Sequence, residues 1–168
     1  GTWLSPEFKL FLIKEFQRLK ESEQEGKEWN VRRLLAKVNY KIQTDSIKEI
    51  LEPLSHLPKE KKWWLYADEA DLLNIVVFNE TAQQWRAENP KSVLNDENIR
   101  DFATMEQLVV LSNLESLNAF LIRDGFDKQT RFKKLRKIAL DQLKSLLRNK
   151  ADSHNLKASS MQNLHSSP

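Results

Sequence analysis

The stretch WWLYADEADLLNIVVF, Trp63–Phe78, decides the fold class. Its Asp68, Glu69, Ala70 and Asp71 spell the magnesium-holding signature of an RNA helicase, which would imply an α/β ATPase. The same letters also make a helix start. A helicase-type ATPase needs a Gly-rich loop ending in Lys-Ser/Thr, because backbone amides must cradle the nucleotide phosphates. The three glycines are Gly1, Gly26 and Gly125, and none precedes such a pair at the required spacing. Lys59, Lys61 and Lys62 occupy the place of the buried strand that would have to come first. The stretch therefore reads as a helix capped by Asp68, with Glu69 and Asp71 in a first turn where the helix dipole favours carboxylates. Trp63 to Tyr66 reads as a short extended lead-in.

The neighbouring segments are also helical. Ser5 is an N-cap candidate with Pro6 at the first helical position, and Phe8, Phe11, Leu12, Phe16 and Leu19 form one stripe up to the stop at Gly26. Leu10 and Ile13 lie on the opposite face, which predicts packing against something upstream. A second helix is expected after Asn30, with Val31, Leu34, Leu35 and Val38 inward. Ser46 and Glu49 have capping-box spacing, so a short helix should follow and end before Pro53. Residues 53–62 read as a loop. Thr81 with Gln84 and Thr104 with Gln107 repeat the capping-box spacing, opening a short helix around Trp85 and a long one carrying Leu108, Leu111, Leu114, Leu117 and Leu121. A polar loop over 90–101 separates them. Gly125 supplies a stop, and Asp127 caps a last helix from about Lys128 to Lys150. Residues 151–168 lack periodicity and read as a disordered tail. The predicted fold is all-α, with about six to seven helices in a compact helical domain.

Composition agrees with that class. In 168 residues there are only three glycines and five prolines, with 40% hydrophobic and 30% charged residues. Absence of cysteine excludes disulfides and thiolate metal sites. No apolar run approaches the roughly 20 residues that span a bilayer, and the opening segment carries no basic leader or cleavage site, so a cytoplasmic location without membrane contact is expected. The missing initiator Met and the start just before a helix suggest a fragment. Net charge is +3, but residues 63–127 hold four basic and twelve acidic residues whereas 128–150 hold nine basic residues and one acid, Asp141.

Enzyme signatures are thin. His56, His154 and His165 are the only histidines, and no pair has metal-ligand spacing. No nucleophile elbow accompanies His56. No catalytic residue, cofactor, metal or small-molecule substrate is expected; a nuclease or nucleotide hydrolase using Glu69 and Asp71 is the least favoured reading. The basic last helix has more content. Lys133, Lys137, Lys144 and Arg148 fall within a sector of about 60° at 100° per residue. Phe132, Leu135, Ala139, Leu143 and Leu146 supply the opposing apolar face. Such a stripe suits a phosphate backbone, although its charges could instead be solvated or paired with the acidic 63–127 region. Trp63 and Trp64, beside Lys59, Lys61 and Lys62, are expected to fill the core; base stacking or a membrane surface is the alternative.

The segment GTWLSPEFKLFLIKEFQRLKE, Gly1 to Glu21, resembles the closing part of KilA-N domains, which are DNA-binding domains of bacteria, phages and large DNA viruses. The segments NYKIQTDSIKE, YADEADLLNIVVFNETAQQWRAENP and NIRDFATMEQLVVLSNLESLNAFLI are similar to the helical region that follows the domain in many bacterial members. The resemblance covers about residues 1–147. Similar members often have Asn where this chain has Asp68, which again favours a helix cap over a metal ligand. The resemblance implies a truncated KilA-N domain over 1–25, an accessory helical domain over 26–150, and a non-catalytic parent protein that binds double-stranded DNA mainly through elements upstream of these residues. It assigns no family contact residue to this chain. The other reading is a dimerisation or protein-interaction module, with the leucine-bearing helix near 104–124 as the interface of a homodimer.

Overall fold

The structure, a computed structural model, describes residues 5–20 and 27–164. Its helices are α1 (Pro6–Lys20), α2 (Lys27–Ser46), α3 (Glu52–Leu54), α4 (Trp63–Phe78), α5 (Ala82–Glu88), α6 (Pro90–Leu94), α7 (Met105–Arg123) and α8 (Lys128–Leu164). Among the described residues there is no strand, and the fold is all-α.

Several ends follow local chemistry. Ser5 caps α1 by accepting from the Phe8 amide at 3.2 Å. Thr81 and Thr104 make complete capping boxes with Gln84 and Gln107. Gly125 adopts φ +82°, and Asp127 accepts from the Thr130 amide at 2.9 Å to open α8. Those hydrogen bonds, first from the Thr130 backbone, hold the Asp127 carboxyl below its usual range.

Other expectations are corrected. Residues 63–66 are helical, so no extended lead-in exists, and Asp68 lies within α4 instead of capping it. Nothing local caps α4. Its first turn is fixed across space by Glu52, which accepts from the Tyr66 hydroxyl and from Lys62. The capping box at Ser46 is not made either: Ser46 is helical and buried, and its hydroxyl donates back to the Gln43 carbonyl at 2.7 Å. The helix passes instead through a π segment, Ile47–Leu51, into the single turn of α3. Pro53 has no N–H to extend the α pattern, and the chain widens just before it and ends one turn later. The second helix opens at Lys27, before Asn30. The polar loop expected over 90–101 contains α6 and a 3₁₀ turn, Ile99–Phe102, capped by Asn98 and Asp101. Of the tail expected to be disordered over 151–168, residues 151–164 continue α8, and 165–168 lie outside the described residues. Gly26, with its expected stop, lies outside the described residues.

The core is organised around α7, against which α2, α4 and α8 pack. Leu72, Leu73, Val76 and Val77 of α4 meet Val110, Leu111, Leu114 and Leu121 of α7, and Leu135 and Ala139 of α8 close the cluster. A second cluster seats Phe8 and Leu12 of α1 with Val31, Ala103 and Leu108. Leu10 and Ile13 remain exposed on the outer face of α1.

Candidate functional site

The amphipathic reading of α8 holds on its inner side. Leu135 and Ala139 are fully buried, and Phe132, Leu143 and Leu146 pack partly buried against the core. On the outer side Lys133, Lys137, Lys144 and Arg148 are all exposed. They span about 22 Å of helix at 1.5 Å per residue. The basic residues of α8 that do pair with the acidic region are different ones: Lys128 with Asp68, Arg131 with Glu69, and Lys150 with Glu106. No ion pair involving the four stripe cations occurs among the described residues. Lys134 and Arg136 are also exposed on this helix, and the Lys134 ammonium lies 5.0 Å from the centre of the Phe126 ring. The charge-only reading missed Leu140 and Leu147, seven residues apart and about half exposed, which adjoin the same stripe. Beside it a groove of about 490 Å³ between α7 and α8 is lined by Leu117, Phe120, Leu121 and Ile138 together with Lys134, Lys137 and Asp141.

The helicase-like letters are occupied by structural bonds. Glu69 is buried in α4 and takes a fork of two bonds from Arg131, at 2.6 and 2.8 Å. Asn118 of α7 donates to Glu69 at 2.8 Å and accepts from Arg131 at 2.6 Å. Arg131 also donates its Nε to the Phe126 carbonyl at 3.2 Å, so three helices share one dry, bonded network. Asp71 accepts from the Ala82 amide at 2.8 Å and from Asn74 at 3.3 Å. Asp68 faces Lys128 at the surface. The carboxylates of Asp68, Glu69 and Asp71 thus point to three different partners.

Sequence reasoning also missed a polar seam along α7. Asn39 of α2 donates to the Ser112 carbonyl at 2.6 Å. Glu115 is only 1% exposed and receives Arg100 at 2.9 Å, while its Oε2 has no partner. Burial, partly offset by Arg100, pushes the Glu115 carboxyl up to about 7. The available signal was the interruption of an apolar helix by Ser112, Asn113, Glu115 and Asn118 at positions that face neighbours, not solvent.

Of the leucines on the helix read as a homodimer interface, Leu108, Leu111, Leu114 and Leu121 are buried within the chain's own core and Leu117 is partly buried against it. Trp63 and Trp64, expected inside, are 62% and 64% exposed, whereas Trp85 is buried and packs against Phe102 with ring centres 5.5 Å apart and planes tilted by 41°. No protein-family model, curated protein or solved structure matches the chain.

Proposed function

We propose that this chain is the accessory helical part of a non-catalytic, duplex-DNA-binding protein of KilA-N type, and that α8 lies along the phosphate backbone. The observation that carries the reading is the stripe Lys133, Lys137, Lys144 and Arg148, exposed and without ion pairs among the described residues, while Lys128, Arg131 and Lys150 pair with Asp68, Glu69 and Glu106. A straight cationic row of this length meets several phosphates at once, and each contact releases counterions. The resemblance of residues 1–21 to KilA-N domains supports duplex DNA as the polyanion. Phosphate contacts of this kind hold and orient a protein without reading sequence.

Fluorescence anisotropy of labelled duplex DNA tests the reading. Four contacts give a slope of log affinity against log salt of about −3 to −4. Lys133→Glu with Lys137→Glu should flatten the slope by about two units. Absence of duplex binding at low salt overturns the proposal.

A further inference from the structure

The exposed pair Trp63 and Trp64 has a surface chemistry of its own. Both project from the first turn of α4, about 100° apart around the helix axis, because the part of that helix facing the core begins only at Glu69 and Leu72. The turn is held in place from behind: Glu52 binds both Lys62 and Tyr66, so the backbone beneath the indoles is anchored while the rings face outward. Immediately before them, the 3₁₀ turn Lys59–Lys61 presents Lys59 and Lys61 to solvent, and neither makes an ion pair among the described residues. Glu60 lies between them and is also exposed, so the turn carries little net charge. Two large π faces beside two spaced cations suit a ligand that alternates flat aromatic rings with single negative charges. Unpaired nucleotides have that pattern, since every base offers a π face and every linkage a phosphate. A lipid surface fits less well. Interfacial binding needs a continuous apolar helix face, and here Asp68 follows one turn after Trp64.

We propose that Lys59, Lys61, Trp63 and Trp64 form a stacking platform for two successive unpaired bases of a single-stranded nucleic acid. This site is separate from the α8 stripe and stands whether or not that stripe holds duplex DNA.

The test uses the whole chain carrying Lys133→Glu, Lys137→Glu, Lys144→Glu and Arg148→Glu, so that α8 contributes little, with a short labelled oligothymidylate as probe. Binding should quench tryptophan fluorescence, with a shallow salt slope of about −1.4 for two phosphate contacts. Trp63→Ala with Trp64→Ala should weaken binding about tenfold or more. Trp63→Phe with Trp64→Phe should retain most of it, because the rings are kept. The alanine pair lies at an exposed turn, and an unchanged far-ultraviolet circular dichroism spectrum confirms that its fold is kept. Undiminished oligonucleotide affinity in the alanine pair overturns the proposal. So does binding to phosphatidylserine vesicles, lost in that pair, without any binding of the oligonucleotide.

Discussion

At the scale of single residues, two buried carboxylates have opposite fates. Glu69 has a full set of partners, and removing it strands the guanidinium of Arg131 in a dry site. Glu69→Ala should therefore lose about 3–5 kcal/mol of stability in urea unfolding. Asp68→Ala, one residue away but at the surface, should lose about 0.5 kcal/mol or less. Equal effects would mean that the network is not buried as described. Glu115 has one partner and an orphan oxygen, and its carboxyl titrates near 7 against an ordinary value of 4.5. Because its folded value is the higher one, the native state binds the extra proton between those limits. Its stabilising contribution is complete below about 4.5 and is lost as pH rises through about 7. Glu115→Gln should remove that fall, so the urea midpoints of variant and parent, compared at pH 5 and pH 8, should diverge in favour of the variant at the higher pH. A parallel decline in both proteins would count against the assignment.

At the scale of elements, helix ends divide into those set locally and those set across space. Thr81, Thr104 and Asp127 bond to amides three residues away, so their spacing in the sequence suffices to find them. Thr104→Ala removes one such bond from the central helix and should cost about 1 kcal/mol, read as a lower urea midpoint with an unchanged slope. A neutral result would show that α7 is held by packing alone. The start of α4 is different. Asp68 had the chemistry of a cap, but Glu52 draws Lys62 and Tyr66 together and helical geometry begins at Trp63 instead. The acids then fall one to two turns inside the helix, where Glu69 faces the core and Asp68 faces water.

At the scale of the whole molecule, charge is separated by use. Acidic residues of α4 and α7 meet Lys128, Arg131 and Lys150, which fasten α8 to the body, and the four outward cations make no ion pair among the described residues. Reversing Lys133 and Lys137 should consequently leave the thermal midpoint nearly unchanged while it weakens duplex binding, since neither residue is part of the internal pairing. A large fall in stability would relocate those lysines to a structural role.

The sequence by itself determined the helical class, the two threonine capping boxes, the unbroken run of α7 up to the stop at Gly125, and which side of α8 faces the core. These depend on periodicity and on bonds within one turn. Only the tertiary structure decided that Glu69 meets Arg131 across 62 positions, that Trp63 and Trp64 stay outside, and that α2 widens into a π segment before Pro53. The physical reason is that burial and pairing belong to the surfaces brought together by folding. An indole or a carboxylate carries no local mark of whether another helix will cover it.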